Sequence, residues 1–282
     1  MATFYNQATL SFRGRLTNSN ITSGELRDTL AMTKTALSSS YTSGGNIVYA
    51  INLNNSGSAI SGATVTDDLG GYNVGANTVY PLEYVEGSVR LFVGGIESTA
   101  PSVTAGPPLS FTGIDIPANT NVQIYYETSL NSFAPLAEGS SITNTAVLNI
   151  GSTAAATATA TVTSDSDANL TIAKAICPAV VVDDGQLTYT FVIQNTGNAA
   201  TLATDDVIVT DVFDPILSGI TVTFNGEPWE EGTNYTYDET SGTFATLAGQ
   251  ITVPAATYTQ NPDTGVITTT PGVAVITVSG TV

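Results

Sequence analysis

An internal repeat limits the fold of this 282-residue chain more than any other feature of its sequence. Residues 45–59 (GNIVYAINLNNSGSA) match residues 185–199 (GQLTYTFVIQNTGNA) at an offset of 140 positions. At the same offset, LAMTK at 30–34 matches LTIAK at 170–174. Because self-similarity at a fixed spacing is the signature of repeated structural units, the sequence predicts two homologous domains.

The repeat continues beyond these segments and has the pattern of β-strands. V-T-D at 65–67 recurs at 209–211 after a four-residue insertion, and residues 122–130 match 273–281. Short β-branched runs alternate with turn signals such as Asn-Ser-Gly and Asn-Thr-Gly, and no segment has a convincing helical period. The sequence therefore predicts an all-β chain built from two tandem antiparallel β-sandwiches.

The two halves of the repeat differ at their ends. After residue 130, domain 1 continues into TNTAVLNI at 143–150, and the segment that matches this strand is YNQATLSF at 5–12, at an offset of 138. We therefore expect a spare N-terminal strand and a domain 2 that lacks its last strand. The expected boundaries are 1–12 for this donor strand, 13–29 for a linker, 30–150 for domain 1, 151–168 for a second linker and 169–282 for domain 2.

Composition and charge exclude several classes of function. The net charge is −18, with six Lys and Arg residues and no His. An acidic surface is repelled by phosphate, and the apolar runs are too short for membrane insertion, so we expect neither a nucleic-acid partner nor a spanning segment. Without His, a serine elbow or a recognisable acidic pair, the sequence predicts no enzyme and no cofactor.

The single cysteine, Cys177, excludes a disulfide within the chain. It is interpreted as a buried small hydrophobe, with a lateral disulfide between subunits as the alternative. Asp165, Asp167 and Asn169 have a D-x-D-x-N spacing that calcium loops use, but the glycine and the distant Glu of a full loop are absent. A solvated linker is therefore favoured over a metal site.

The motifs of the repeat resemble a known family. A lysine strand, the run Y-x-I/F-x-I/L-x-N-x-G-x-A, V-T-D and N-x-A-x-L resemble the conserved surface repeat of Gram-positive cell-wall proteins called domain of unknown function eleven, over residues 30–150 and 170–282. The resemblance implies an immunoglobulin-like β-sandwich in extracellular stalks and fibres. The Lys, Asp and Asn positions are also similar to those of sortase pilins and collagen-adhesin stalk domains. That similarity implies Lys–Asn isopeptide bonds between first and last strands, promoted by an acidic residue.

The chain has only two lysines, and they occupy the same repeat position. Since side chains alternate between the faces of a strand, Lys34 shares the face of Met32, and Lys174 shares the face of Ile172. The same alternation turns four further polar residues toward apolar neighbours: Asp67, Asp211, Asn144 and Asn6. All six side chains are therefore predicted to point inward, where an unpaired charge is costly.

Burial of these groups supplies a chemistry. Desolvation is expected to lower the pKa of a lysine and to raise the pKa of an aspartic acid. A neutral amine is a nucleophile, and a protonated acid can donate to the amide carbonyl and pass a proton to leaving ammonia. In domain 1 this predicts a bond between Lys34 and Asn144, assisted by Asp67. The alternative is a buried Lys–Asp ion pair with the asparagine as a hydrogen-bond partner.

The spare strand predicts how copies of the chain associate. Alternation turns one set of its side chains inward: Phe4, Asn6, Ala8, Leu10 and Phe12. If this strand enters domain 2 of the next subunit in the register of residues 143–150, Asn6 meets Lys174, and Asp211 assists a bond between subunits. The alternative is a non-covalent donor strand with Lys174 and Asp211 paired.

The sequence therefore predicts a structural protein. The leading hypothesis is a subunit of an extracellular fibre on a bacterial cell or spore, a pilus or spore appendage that forms a head-to-tail homopolymer by donor-strand exchange. The alternative is a stalk or binding module of a surface adhesin.

Overall fold

The computed structural model describes residues 2–26 and 29–282, and β-strands are the predominant regular structure in these ranges. Within these ranges the only helical element is a 3-10 turn at Ala203–Asp205. In the same ranges, no helix has the length and apolar character needed to cross a membrane. The prediction of an all-β chain with two tandem immunoglobulin-like sandwiches is confirmed.

The N-terminal residues form one long antiparallel hairpin. Its strands are β1 (Ala2–Asn6), β2 (Thr9–Phe12), β3 (Arg15–Asn18) and β4 (Thr22–Leu26). β1 pairs with β4, and β2 pairs with β3. The turn consists of Arg13 and Gly14, both with positive φ (47° and 77°), as two-residue turns that match the strand twist require. Among the described strands, those of the hairpin pair only with each other.

Domain 1 contains the next fourteen strands. They are β5 (Leu30–Ala36), β6 (Ser40–Tyr41), β7 (Asn46–Asn55), β8 (Ile60–Asp67), β9 (Tyr72–Val74), β10 (Asn77–Val79), β11 (Leu82–Tyr84), β12 (Arg90–Val93), β13 (Ile96–Ser98), β14 (Ser102–Thr104), β15 (Leu109–Ile116), β16 (Thr120–Leu130), β17 (Ser141–Ile150) and β18 (Thr153–Ser164). One sheet has the order β13-β12-β16-β7-β5, with β11 also on β16, and the facing sheet has the order β14-β15-β8-β17-β18-β6.

Alternating side chains from the two sheets fill the domain 1 core. Along β7 every second residue from Ile47 to Leu53 is buried, and the same period holds along β16 and β17. Three of the largest buried side chains are aromatic: Tyr49, Phe111 and Tyr126. This period-2 burial is what a sandwich with solvated outer faces produces.

Domain 2 contains ten strands and repeats the plan of domain 1 with one side open. They are β19 (Leu170–Cys177), β20 (Gln186–Asn195), β21 (Thr210–Val212), β22 (Ser218–Phe224), β23 (Glu227–Trp229), β24 (Tyr235–Asp238), β25 (Thr243–Thr246), β26 (Thr257–Gln260), β27 (Ile267–Thr270) and β28 (Gly272–Thr281). Its sheets have the orders β19-β20-β28-β22-β23 and β21-β25-β24, and β26 pairs with β27. β21 occupies the place of β8, and no described strand pairs with its second edge, where β17 pairs in domain 1.

Two expectations about the chain's organisation need correction. The expected linker at 151–168 is mostly β18, because Thr153–Ser164 pairs with β17 along its whole length. The expected linker at 13–29 contains β3 and β4, which pair with the donor segment; residues 27 and 28 lie outside the described residues. These segments resemble linkers in composition, and only their pairing with the preceding strand of the same hairpin identifies them as strands.

The repeat alignment near the C-terminus is also shifted by one residue. Val122 pairs with Leu53 across β16 and β7, and the residue that pairs with the equivalent Ile193 is Ala274, not Val273. Ala274 is fully buried, whereas Val273 is exposed. A one-residue slip exchanges the two faces of a strand, so the equivalent of Tyr126 is Val278.

Candidate functional site

A buried ion pair lies at the centre of domain 1. Lys34, on edge strand β5, donates from Nζ to Oδ2 of Asp67, the last residue of β8, at 2.6 Å, and neither side chain has any solvent exposure. The alternation of β5 brings Lys34 inward beside Met32, and that of β8 brings Asp67 inward beside Val65. The structure thus places both residues on the faces predicted for them.

Asn144 joins this pair through a tyrosine. The side-chain amide nitrogen of Asn144 donates to Oη of Tyr126 at 3.5 Å, and the Tyr126 hydroxyl donates to Oδ2 of Asp67. Both residues are buried. Lys34, Asp67, Tyr126 and Asn144 therefore form one hydrogen-bonded chain across the two sheets.

Two polar atoms beside this chain have no hydrogen-bond partner among the described residues. They are the side-chain oxygen of Asn144 and the hydroxyl oxygen of Tyr49. The ring of Tyr49 lies 4.8 Å from Lys34 Nζ and is stacked on Tyr126. A buried acceptor without a donor is costly. The Asn144 side-chain oxygen can therefore gain a hydrogen bond if a proton moves within the cluster.

Burial sets the electrostatics of the site. Desolvation by burial lowers the pKa of Lys34 and so favours the neutral amine. The attraction of Asp67 favours the charged form and is the smaller of the two effects. Burial also raises the pKa of Tyr126 well above its ordinary value, and the nearby Asp67 adds to that shift. Tyr126 therefore keeps its proton, and its hydroxyl can donate while it accepts from Asn144.

The matching residues of domain 2 form an ion pair that solvent reaches. Lys174 Nζ contacts Oδ2 of Asp211, and the two side chains are 39% and 19% exposed. The ring of Tyr189, the equivalent of Tyr49, lies 4.2 Å from Lys174 Nζ. Val278 replaces Tyr126, and within the described residues no asparagine side chain forms a hydrogen bond with the pair.

The lysine of domain 2 is exposed because nothing described covers strand β19. Ile172 is 56% exposed, whereas its equivalent in domain 1, Met32, is 9% exposed. A largely apolar groove opens between β19 and the segment that leads into β21, lined by Leu170, Thr171, Ile172, Ile193, Val207, Ile208 and Val209. We call these residues the open groove.

The predicted donor residues lie in the N-terminal hairpin, whereas Lys174 and Asp211 lie in domain 2. Phe4, Leu10 and Phe12 are all more than half exposed. Asn6 pairs with Thr22 across the hairpin, and its side chain is exposed. Within one chain the structure therefore brings together all three residues predicted for domain 1: Lys34, Asp67 and Asn144. In domain 2 it brings together Lys174 and Asp211 without Asn6.

The remaining candidates do not form a site. Asp165, Asp167 and Asn169 are exposed, and over residues 2–26 and 29–282 no group of three or more acidic or cysteine residues could hold a metal. Cys177 is exposed at the end of β19, which corrects the interpretation as a buried residue. Cys177 is opposite Thr188, on the face of β19 that points away from Ile172 and Lys174, which accounts for this exposure.

Sequence reasoning missed Tyr126 and Tyr49. Both lie on alternating apolar strands, where an aromatic residue ordinarily indicates only core packing. The available signal was Tyr126 itself, because its hydroxyl requires a polar partner when it is buried, and the nearby inward-facing Asp67 and Asn144 are such partners.

Comparison with solved structures finds distant similarities to bacterial surface proteins. The C-terminal domain of the Streptococcus pyogenes antigen I/II-family protein AspA is 10% identical, with a TM-score of 0.37, over 90% of this chain and 92% of that chain. BcpA, the major pilin subunit of Bacillus cereus, is 12% identical with a TM-score of 0.35, over 87% of this chain and 65% of that chain. The major pilin SpaD of Corynebacterium diphtheriae is 11% identical with a TM-score of 0.36, over 85% and 58%. No family model and no curated protein matches the sequence.

Proposed function

We propose that this protein is a structural subunit of an extracellular fibre on a bacterial cell or spore, assembled head to tail by donor-strand exchange. The observation that carries the proposal is a pair of complementary features in one chain. Domain 2 has an open groove beside the edge of β21 that no described strand pairs with, and the first arm of the N-terminal hairpin resembles in sequence the strand that fills this place in domain 1.

Domain 1 provides the template for the joint. There β17 pairs with β8, so that Leu148 lies opposite Val65 and is fully buried. Leu10 is the repeat equivalent of Leu148, and Val209 is that of Val65. In the fibre Leu10 of one subunit fills the open groove of the next. A contact of this heterologous kind does not close on itself and so generates a filament.

Within domain 1 the buried cluster is arranged for an amide bond between Lys34 and Asn144. The Lys34 ammonium gives one proton to Asp67, and the free amine attacks the side-chain carbonyl carbon of Asn144. The new C–N bond forms as the old C–N bond breaks, and the leaving nitrogen takes the proton held by Asp67, by way of the Tyr126 hydroxyl, to depart as ammonia. The attacking nitrogen passes its second proton to Asp67, which ends protonated and neutral. The product is a neutral amide, which removes the cost of a buried charge.

A related reaction would lock the joint between subunits, without the tyrosine relay because Val278 takes the place of Tyr126. Asn6 corresponds to Asn144, and Lys174 and Asp211 already form an ion pair at the place where Asn6 would dock. Docking of the donor covers β19, removes water from Lys174 and brings its amine into the state that Lys34 has in domain 1. Folding and docking hold the reactants together, so no separate ligase is required.

Mixing two single variants tests the joint and the bond together. Asn6→Ala keeps an intact acceptor, and Lys174→Ala keeps an intact donor. On a boiled denaturing gel, wild-type protein should give a ladder, each variant alone should give monomer, and the mixture should give one covalent dimer and nothing larger. Gln7→Ala is the matched control and should give the wild-type ladder. A monomer band from wild-type filaments would eliminate the intersubunit bond, and absence of filaments by negative-stain microscopy would eliminate the fibre.

A further inference from the structure

We propose that the docking unit is the whole N-terminal hairpin, and that its second arm, β3 and β4, covers strand β19 of the neighbouring subunit. This inference rests on the proposed fibre and specifies its joint. Complementation by a single strand would leave the second arm as a linker between subunits. The hairpin instead fills two places at once, one beside β21 and one over β19.

The pairing within the hairpin reproduces that of β17 and β18. Asn144 pairs with Ala160 in domain 1, and Asn6 pairs with Thr22 in the hairpin, so both partners are shifted by the same 138 positions. At the turn, Ile150 pairs with Thr153, as Phe12 pairs with Arg15. Because the pairing agrees at both ends, the hairpin already has the strand pairing that β17 and β18 have in domain 1.

An irregularity is also shared. In β17 and β18 the register shifts by one residue between Leu148 and Asn149, with the extra residue on the second arm. In the hairpin it shifts by one between Asn6 and Thr9, again with the extra residue on the second arm, but nearer the start of the first arm than the equivalent position, Leu10 and Ser11. The two hairpins therefore have the same register on either side of these shifts and differ only in the stretch between them.

The second arm has an apolar partner in domain 1, and the equivalent partner in domain 2 is uncovered. β18 lies over β5, with Ala160 and Val162 buried between the sheets. The equivalent residues of the hairpin are Thr22 and Gly24. Their small side chains allow the same close approach to β19, where Ile172 and Ile176 are about half exposed.

Packing across the hairpin is matched to this role. A Cβ on Gly24 would lie 2.5 Å from the ring of Phe4, so the ring covers the glycine. In domain 1 the equivalent pair is Ile142 with Val162. The larger residue on the first arm and the smaller one on the second conserve the volume to be buried.

Charge at the turn also favours this docking. In domain 1 Ala146 lies opposite Asp67 and Asn149 opposite Thr64. Transferred to the joint, this register puts Ala8 opposite Asp211 and continues to Arg13 opposite Asp206. Both Arg13 and Asp206 are exposed in the described structure. Opposite charges therefore meet where the turn of the hairpin reaches the acceptor.

Three variants of the full chain test the inference, with filament growth followed by light scattering. Thr22→Arg puts a charge on the face toward β19 and should slow growth by at least about tenfold, because the charge must be buried without a partner. Ser23→Arg is the matched control on the outer face and should grow at the wild-type rate. Leu10→Arg, in the first arm, should abolish growth. Circular dichroism and thermal unfolding check that both domains remain folded, since neither contains these positions.

The outcomes separate the inference from the proposed function. Normal growth of Thr22→Arg together with loss in Leu10→Arg overturns the hairpin and leaves the donor strand. Equal losses in Thr22→Arg and Ser23→Arg also overturn it, because they would report strand propensity and not a docked face. Normal growth of Leu10→Arg contradicts the donor proposal itself.

Discussion

The chemistry of this protein depends on the environment of a few side chains. The same Lys–Asp pair occurs in both domains, fully enclosed at Lys34 and open to solvent at Lys174. Burial lowers the pKa of Lys34, and in the proposed reaction the attacking amine therefore forms only inside a covered sandwich. The difference in covering thus explains how one motif could react during folding in domain 1 and only on assembly in domain 2.

Removal of the acid should leave the domain 1 bond unformed. Asp67→Asn keeps the shape of the side chain but cannot take the lysine proton. The intact mass of the wild-type monomer should be lower than the sequence mass by one ammonia, and that of Asp67→Asn should equal the sequence mass. Asp68→Asn is the control: this residue is half-buried, and its Oδ1 accepts from Gly70 and Thr145, which an amide oxygen can also do. An ammonia loss in a folded Asp67→Asn protein contradicts the assigned role.

The Tyr126 hydroxyl should set the rate of the same bond. It lies between the Asn144 amide and Asp67, so Tyr126→Phe removes the relay while the ring still packs. We expect bond formation after refolding to slow by about 100-fold, the lower end for acid–base groups, as followed by intact mass against time. Tyr125→Phe, on the outer face against Phe92, should react at the wild-type rate. Equal rates for the two variants would remove Tyr126 from the mechanism.

At the scale of elements, one buried asparagine per domain holds the strand ends together. Asn195 accepts from the backbone N–H groups of Asn169 and Gly197 and donates to the carbonyls of Ala199 and Pro254. Asn55 has a similar role in domain 1, where it accepts from the backbone N–H of Gly57 and donates to the carbonyls of Ser58, Ile116 and Pro117. The N-x-G part of the repeat motif is therefore a structural clamp, and its chemistry is separate from that of the lysine.

Loss of this clamp should weaken domain 2. Asn195→Ala leaves several buried backbone groups unpaired, which should lower the free energy of unfolding by about 3 kcal/mol. Gln194→Ala, at the exposed neighbouring position, should change it little. Denaturant unfolding in the Leu10→Arg background, which should not form filaments, gives the measurement without interference from assembly. Equal stabilities of the two variants would show that the clamp has no net effect.

At the scale of the whole molecule, the cations are gathered where the proposed joint forms. Residues 1–28 contain three arginines and two acidic residues, a net charge of +1, so the remaining residues carry −19. Two such acidic bodies repel each other over about 8 Å at physiological salt. A weakly positive hairpin is the part of the molecule that can approach an acidic acceptor.

Reversal of the turn charges should therefore slow association. The double variant Arg13→Glu and Arg15→Glu should reduce the rate of filament growth by about tenfold at low salt, and the effect should shrink as salt is added. Arg90→Glu makes a single charge reversal on the surface of domain 1 and should have a much smaller effect. A loss independent of salt would indicate a folding defect of the hairpin instead.

The sequence alone determined the features that follow from local periodicity. The repeat identified two sandwiches, and period-2 alternation put Lys34, Asp67 and Asn144 on inward faces, as the structure has them. These properties are local, because a strand's two faces are set by its own residues and need no knowledge of the partner strand.

Only the tertiary structure decided which segments meet. Thr153–Ser164 and Arg15–Leu26 have the composition of linkers, and they became strands through pairing with residues a turn away. The one-residue shift in β28 and the bond from Tyr126 to Asp67 were likewise invisible, since a strand's register and a core tyrosine's partner depend on chain that is distant in sequence. Long-range pairing is specified by the sum of many weak contacts, so the open groove of domain 2 could be seen only once the strands around it were in place.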